Sequence, residues 1–307
     1  MSEEIIDKII QTIYTSSTWF KLTVICIILL CIYFYNKENI DIEGFIQKDK
    51  FVIKYNEEIY DNFYASIYKS LNFDILKNEY EVGSIVNTTN PTSSSLLLDI
   101  GSGVGEHVNK FNEKGYNAIG LDKSQHMINI ARNEYPKLEF VQGDVNNNII
   151  FSPFSFTHIT CLNFTLYEIE NKLGFFNSCY EWLRPGGYLI IHIVDEKKFK
   201  PILNKADPLG IRSNPLNSEN LNNKINFQNL SYKKIFDIKK NNDKSEIIEV
   251  FKDQNNKVRK HIQTIYMVSK NKILNMAKQI GFIEESVINL YPVNYNNEYL
   301  YVLYKPE

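Results

Sequence analysis

One ten-residue stretch, Leu96-Leu97-Leu98-Asp99-Ile100-Gly101-Ser102-Gly103-Val104-Gly105, organises this chain. A run of apolar residues ends in an acid, a glycine-spaced turn follows, and an amphipathic segment begins at Glu106. This pattern predicts a buried strand, a tight loop and the N-terminus of a helix. Glycine lets a ligand approach the backbone closely, and the free N–H groups of a helix N-terminus favour an anionic group. The stretch is therefore predicted to cradle a ligand, with a plain turn as the alternative.

Composition sets only broad limits. The chain has 307 residues, of which 44% are apolar, and a formal net charge of −2. The length suits one large domain or two small ones, and the charge gives no argument for nucleic-acid binding. The four cysteines are not spaced as metal ligands are; they are Cys26, Cys31, Cys161 and Cys179. We therefore predict buried, unpaired thiols, a reducing compartment and no metal site.

Strand-like and helix-like segments alternate from Leu96 onward. Strands are predicted at 96–100, 118–121, 138–141, 156–162 and 188–194, and helices at 105–114, 124–133 and 172–183. This alternation predicts an α/β fold, a mostly parallel sheet of seven strands with helices on both faces. The last two strands are expected at 282–291 and 299–304, after a helix at 273–280.

Residues 195–270 interrupt the alternation of strands and helices. Prolines and glycine around 204–223 predict a loop, and three strand-like runs follow at 227–238, 246–253 and 258–267. The last two runs flank Gln254-Asn255-Asn256-Lys257, which is typical of a hairpin turn. The segment is therefore predicted to be an antiparallel β insertion after the fifth strand.

The N-terminal segment, residues 1–36, contains an apolar run from Trp19 to Tyr35 with aromatic residues at both ends. This run predicts a single transmembrane helix, with a helix packed on the rest of the protein as the alternative. The excess of lysines after the run predicts that the remainder faces the cytosol. Residues 37–54 are expected to be a linker, and residues 55–307 the catalytic domain.

The glycine turn has the spacing acid-x-Gly-x-Gly-x-Gly, which differs from the G-x-G-x-x-G of dinucleotide-binding folds. It resembles the first motif of the class I S-adenosylmethionine-dependent methyltransferases, a broad family that includes uncharacterised members from large DNA viruses. The turn Leu183-Arg184-Pro185-Gly186-Gly187 also resembles the family's turn before the fifth strand. The resemblance covers about residues 55–194 and, less specifically, 270–307. It implies a Rossmann-like fold and S-adenosylmethionine as cofactor.

The resemblance also implies a set of cofactor-binding residues. Asp99, Gly101, Ser102, Gly103 and Gly105 would hold the methionine part of the cofactor. The ribose would be bound by Asp122 with Lys123 and Ser124, and the adenine by Gly143, Asp144 and Val145. Asn163 is a further candidate from the end of the fourth strand, and Tyr60 and Tyr64 are candidates for a helix that closes over the cofactor. Simple packing of the aromatic residues on the core is the alternative for that helix.

Catalytic residues are harder to predict. Methyl transfer requires mainly proximity and alignment, and a base is needed only where the acceptor must lose a proton. Asn163, Tyr167 and His192 fall near the predicted substrate edge. For His192 the alternative is a buried, hydrogen-bonded core residue.

The predicted function is methyl transfer from S-adenosylmethionine to a small-molecule or lipid acceptor, by a single-pass membrane protein. One alternative is a membrane-held protein or RNA methyltransferase. A basic groove would favour it, formed by Lys233, Lys234, Lys239, Lys240, Lys257, Arg259 and Lys260. The other alternative is a non-catalytic module that binds S-adenosylmethionine.

Overall fold

A computed structural model describes residues 15–38, 49–195, 198, 223–227, 230–237 and 243–307. The chain divides into two compact units, residues 1–43 and 44–307. Three parts of the predictions lie outside the described residues: the start of the N-terminal segment, residues 39–48 of the linker, and residues 199–222 of the insertion.

Helices and strands follow one another along the chain. They are α1 (Thr18–Glu38), β1 (Phe51–Tyr55), α2 (Asn62–Asn72), α3 (Ile75–Thr89), β2 (Leu96–Ile100), α4 (Glu106–Glu113), β3 (Asn117–Asp122), α5 (Gln125–Glu134), β4 (Glu139–Gln142), β5 (Phe156–Cys161), α6 (Thr165–Glu168), α7 (Lys172–Trp182), β6 (Leu183–Val194), β7 (Asn223–Phe227), β8 (Leu230–Asp237), β9 (Lys244–Lys252), β10 (Val258–Tyr266), α8 (Lys270–Ile280), β11 (Ile283–Asn289) and β12 (Glu298–Tyr304).

The first unit contributes α1, which occupies the place of the predicted transmembrane helix. Among the residues that the structure describes, no helix is long and apolar enough to span a membrane. The prediction of a transmembrane helix over 19–35 is therefore not supported.

The second unit is built on a seven-stranded sheet with the order β11-β12-β6-β5-β2-β3-β4. The five strands β6, β5, β2, β3 and β4 are parallel to one another, and β12 is antiparallel to both β6 and β11. One apolar core lies between the sheet and α7 and α8, and includes Trp182 and Ile273. A second core, which includes Ile85 and Phe111, lies between the sheet and helices α3, α4 and α5. The predicted mostly parallel sheet with helices on both faces is thus confirmed.

The insertion and β1 together form a second, five-stranded sheet with the order β1-β10-β9-β8-β7. Strands β8 to β10 are antiparallel, as predicted, and β9 and β10 are joined by the predicted turn. Strand β7, which the sequence did not predict, pairs antiparallel with β8. Strand β1 lies parallel to β10, with Phe51 opposite Val258. The predicted linker over 37–54 is therefore wrong for its last residues, which complete the edge of the inserted sheet.

Candidate active site

The glycine turn between β2 and α4 is held in place by backbone contacts to β3. The N–H groups of Gly101 and Ser102 donate to the carbonyl of Leu121 at 2.8 and 3.1 Å. Gly101 and Gly103 have φ values of +70° and +54°, a region that favours glycine. A Cβ on Gly101 would lie 2.3 Å from Cγ2 of Thr165. The turn therefore adopts a shape that only glycine permits, pressed against the start of α6.

Asp122 ends β3 and fixes the same turn. Its carboxylate accepts hydrogen bonds from the N–H of Gly103 and the N–H of Ser124, both at 2.8 Å. Burial raises the pKa of Asp122, although these two hydrogen bonds act to lower it. Ser124 in turn caps α5, because its hydroxyl accepts from the N–H of Met127 at 3.2 Å. One carboxylate thus ties the glycine turn to the loop after β3.

A cavity of about 720 Å³, which we call the strand-end cavity, lies at the carboxyl ends of β3 and β4. This volume falls in the range of about 300–1,000 Å³ found for small-molecule sites. The sequence-predicted residues that border it are Tyr60, Gly101, Gly103, Asp122, Lys123, Ser124, Gly143, Asp144 and Val145.

Asp144 and Lys123 form an ion pair at the rim of the strand-end cavity, with 2.8 Å between Nζ and Oδ2. Lys123 also pairs with Glu57. Burial acts to raise the pKa of Asp144, but the hydrogen bond from Lys123 lowers it below its usual value. Asp144 is therefore ionised at neutral pH and available as a hydrogen-bond acceptor.

A second cavity, which we call the helix-side cavity, lies between the glycine turn, helices α2 and α3, and the inserted sheet. Several buried polar atoms on its wall have no hydrogen-bond partner: Oδ1 and Nδ2 of Asn78, Oγ of Ser102 and Oε1 of Gln263. Unpaired buried polar atoms are costly and rare. These atoms are therefore available to a polar ligand in the helix-side cavity.

The two cavities adjoin, and they share the residues Tyr60, Tyr68, Gly101, Gly103, Thr165, Glu168 and Gln263. Glu168 is half-buried at the end of α6, and the hydroxyl of Tyr60 lies 2.8 Å from both of its carboxylate oxygens. Burial raises the pKa of Glu168 to about 7. A carboxylate that exchanges protons near neutral pH therefore stands where the two cavities meet.

Aromatic rings of α2 and the residues before it cover this junction. The ring of Tyr64 lies edge-on to those of Tyr60 and Tyr68, at centroid distances of 5.6 and 5.7 Å. Tyr60 and Tyr68 border both cavities, whereas Tyr64 borders only the helix-side cavity. Tyr60 and Tyr64 thus both line a cavity, and their role as a cover stays a prediction.

The three catalytic candidates occupy different places. Asn163 borders the helix-side cavity and accepts a hydrogen bond from Nζ of Lys77. Tyr167 is fully buried in the core, and its hydroxyl accepts from the N–H of Val194 at 2.9 Å. His192 is fully buried as well, with Nε2 lying 2.9 Å from the carboxylate of Glu298. Among the described residues that border either cavity, neither Tyr167 nor His192 occurs.

Replacing His192 with phenylalanine tests this placement. The ring would be kept, but the buried carboxylate of Glu298 would lose its partner, so we expect a loss of about 2 kcal/mol of stability. Affinity for S-adenosylmethionine should stay within about threefold, because His192 itself borders neither cavity and only its partner Glu298 lines the helix-side cavity. Thermal unfolding and titration calorimetry on the same preparation check both expectations. A selective loss of affinity in a variant of unchanged stability would contradict them.

Asp99 and Gly105 lie behind the turn. Asp99 is buried, accepts a hydrogen bond from the Thr160 hydroxyl at 2.7 Å, and has its pKa raised to about 6 by burial. A Cβ on Gly105 would lie 2.7 Å from the ring of Phe140. Neither residue borders a cavity, and both support the shape of the turn from the inside.

The cavity residues that sequence reasoning missed include Asn78, Thr165, Glu168 and Gln263. Thr165 and Glu168 follow β5, so their position after a strand end was the one available signal. Asn78 and Gln263 come from α3 and the inserted sheet, which only tertiary packing brings to the turn.

Comparisons with known proteins agree with this arrangement. Residues 98–191 match the family model described as a methyltransferase domain. Phosphoethanolamine N-methyltransferase of Plasmodium falciparum is 32% identical over 110 residues, which are 32% of this chain and 38% of that protein. A dTDP-3-amino-3,4,6-trideoxy-alpha-D-glucopyranose N,N-dimethyltransferase of Streptomyces venezuelae is 27% identical over 135 residues, 44% of this chain and 55% of that protein.

A solved structure shows the same fold over most of the chain. The S-adenosylmethionine-dependent methyltransferase from Clostridium acetobutylicum superposes with a TM-score of 0.60, at 18% identity, over 80% of this chain and 99% of that one. Residues 98–191 are thus similar in sequence to the methyltransferase domain, and the structural likeness confirms the predicted Rossmann-like fold. The chain spans only about two fifths to about half of the length of the two curated relatives, and these matches give no support to a viral origin.

Proposed function

We propose that this protein transfers a methyl group from S-adenosylmethionine to a nitrogen atom of a small-molecule amine. The observation that carries this proposal is the junction of the two cavities at the glycine turn. One cavity is bounded by strand-end acids suited to a nucleoside, and the other by carboxylates and aromatic rings suited to a cation.

The residues present fit the cofactor. Its ribose hydroxyls need an acceptor such as Asp122, and its adenine amino group needs one such as Asp144. Its amino-acid end carries both a cation and a carboxylate. The unpaired amide of Asn78 and the unpaired hydroxyl of Ser102 offer donors and acceptors to those groups. When bound, the cofactor supplies a methyl carbon made electrophilic by a positively charged sulfur.

An amine acceptor is supported by the wall of the helix-side cavity. That wall carries six carboxylates and three lysines, a balance that favours a cationic ligand. The carboxylates are Asp74, Glu81, Glu106, Glu168, Glu249 and Glu298. Aromatic faces stabilise a nearby ammonium further, and Tyr60, Tyr64, Tyr68, Phe164 and Phe236 border the same space. The chain's own contribution is to orient the amine and to exclude water around it.

A small acceptor is favoured over a protein or RNA. Two cations of the supposed basic groove are turned inward, because Lys234 pairs with Glu249 at 3.4 Å and the buried Arg259 pairs with Asp61. Lys239 and Lys240 lie outside the described residues. Both curated relatives reported above are named as N-methyltransferases of small molecules. The argument for a lipid acceptor rested on the membrane anchor, which the structure does not support.

Titration calorimetry of the full chain with S-adenosylmethionine, followed by transfer of labelled methyl groups to a panel of phosphoethanolamine and amino sugars, tests the proposal. We expect Asp122→Ala to weaken cofactor binding at least about 100-fold, or about 2.7 kcal/mol. The reason is that the change removes a ribose acceptor and releases the N–H groups of Gly103 and Ser124.

The exposed Asp49 provides the matched control, and Asp49→Ala should bind as the wild type does. If the folded wild-type protein bound no S-adenosylmethionine, the proposed function would be wrong. Equal binding by Asp122→Ala would refute the ribose assignment alone.

A further inference from the structure

We propose that Glu168 is the proton acceptor of the reaction, taking a proton from the ammonium group of the acceptor so that its nitrogen can attack. This inference rests on the proposed function and adds a named residue and a substrate state to it. The carboxylate must then reach both the cofactor side and the acceptor side of the site. Glu168 borders both cavities, which is the position that the role requires.

Its surroundings hold the carboxylate in place. The hydroxyl of Tyr60 donates to Glu168, with both oxygens at 2.8 Å. Burial, and then the charge of Glu168, raise the pKa of Tyr60 far above its usual value, so this hydroxyl remains a donor. Thr165, three residues earlier on α6, packs against Gly101 of the glycine turn. The helix that carries Glu168 is therefore fixed to the turn that would hold the cofactor.

The groups that act on Glu168 lie before α2, at the end of β3 and on the inserted sheet. Burial is the main cause that raises its pKa, Asp122 and Glu249 raise it further, and the Tyr60 hydrogen bond and Lys234 lower it. Tyr68 also borders both cavities, and the charge of Glu168 raises its pKa after burial does. The balance leaves the pKa of Glu168 at about 7, so the group can both take and release a proton at neutral pH.

Two neighbouring carboxylates are poor candidates for this role. Burial acts to raise the pKa of Glu81, but Lys77 and His107 hold it at about 2. In the same way, Lys234 and His261 outweigh burial and hold the pKa of Glu249 at about 2. Carboxylates that stay ionised far below neutral pH take protons weakly and serve better to attract the cationic acceptor.

The step balances without any redox partner. The N–H bond of the acceptor ammonium breaks, and an O–H bond forms on Glu168. The freed lone pair of nitrogen forms the bond to the methyl carbon, while the carbon–sulfur bond breaks and its electron pair stays on sulfur. Glu168 then gives its proton to water.

The test compares wild type, Glu168→Gln and Glu168→Asp as full chains, with the exposed Glu139→Gln as control. Carbon NMR of protein labelled at the glutamate carboxyl carbons should show one signal that titrates near pH 7 and is missing in Glu168→Gln. Tyr60→Phe should move that midpoint upward, because it removes a hydrogen bond to the charged form. If no such signal is seen, the proposal is overturned without any activity measurement.

Kinetics supply the second readout. With the best acceptor of the amine panel, Glu168→Gln should lower kcat by about 100-fold to 1,000-fold, with the Kd of S-adenosylmethionine little changed. In the wild type, kcat should fall about tenfold per pH unit below about pH 7, and this acid limb should vanish in Glu168→Gln. Glu168→Asp, which keeps a carboxylate, should retain a limb and confirms the role if the glutamine variant fails to fold.

The outcomes separate the two proposals. No transfer by the wild-type protein would refute the proposed function and the role of Glu168 with it. Transfer that Glu168→Gln leaves at the wild-type rate and pH profile would refute only the role of Glu168.

Discussion

Replacing Gly101 with alanine is expected to abolish measurable binding of S-adenosylmethionine and to lower stability by about 2–4 kcal/mol. The new Cβ would lie 2.3 Å from Cγ2 and 2.5 Å from Oγ1 of Thr165, and the residue would keep a φ of +70° that alanine disfavours. Positive φ costs about 1 kcal/mol for alanine, and overpacking a tight contact costs about 1–3 kcal/mol more. Relief requires that the glycine turn or α6 move, and both border the two cavities.

A second glycine separates the two causes. Gly115 has a φ of +89°, but a Cβ added there would meet no atom within 4 Å. Gly115→Ala should therefore cost only about 1 kcal/mol and leave cofactor affinity unchanged. Gly101→Ala combined with Thr165→Gly should recover part of the affinity, because the clashing atoms are gone. Calorimetry and thermal unfolding measure both quantities, and wild-type affinity in Gly101→Ala would show that the turn does not hold the cofactor.

Local rules explain why the sequence predicts the central sheet well. The strand before the glycine turn, the Ser124 cap of α5 and the αL glycine Gly281 after α8 depend on residues a few positions apart. Such short-range signals can be recognised in the sequence without knowledge of the fold. The hairpin between β9 and β10 was predicted for the same reason.

Long-range pairing was not predictable in this way. Strand β1 pairs with β10 across about 200 residues of chain, as Phe51 lies opposite Val258. Three of its five residues are exposed and two are half-buried. The segment has no strong apolar alternation, so the sequence offered no signal of a partner strand. The interpretation of 37–54 as a linker failed at this point.

The same distinction between short-range signals and long-range packing applies to the residues of the candidate site. The residues that the resemblance named include Gly101, Gly103 and Asp122, which border the strand-end cavity because a motif and a strand end set their positions. Asp99, also named by the resemblance, lies behind the turn and accepts a hydrogen bond from Thr160. Glu168 gains its raised pKa from burial under α2 and the inserted sheet, and a sequence does not reveal that environment.

Replacing Lys77 with methionine is expected to lower stability by about 3–4 kcal/mol at pH 7, because the buried carboxylate of Glu81 loses its cationic partner. Nζ of Lys77 lies 3.1 Å from Oε1 of Glu81, whose side chain is fully buried, and also donates to Asn163. Without Lys77, the Glu81 carboxylate would keep its contact with His107, at 3.0 Å. Breaking a buried pair by removing one partner costs about 3–5 kcal/mol.

The pH dependence of this loss has a definite sign. Lys77 helps to hold the pKa of Glu81 at about 2, below its usual value of 4.5, so the pair contributes stability above about pH 4.5 that is lost as pH falls toward 2. The difference between wild type and Lys77→Met should therefore be full at neutral pH and shrink on acidification. Denaturant unfolding at a series of pH values measures it.

Two further variants decide whether the buried pair is the cause. Lys77→Met/Glu81→Leu should recover most of the lost stability, since neither partner is then left charged in the core. Lys110 makes two ion pairs at 2.6 Å with the more exposed Glu79 and Glu113, so Lys110→Met should cost no more than about 1 kcal/mol. The expectation would be wrong if Lys77→Met and Lys110→Met lost equal amounts of stability. It would also be wrong if Lys77→Met/Glu81→Leu were less stable than Lys77→Met. Either result would show that Glu81 does not depend on Lys77 for its charge.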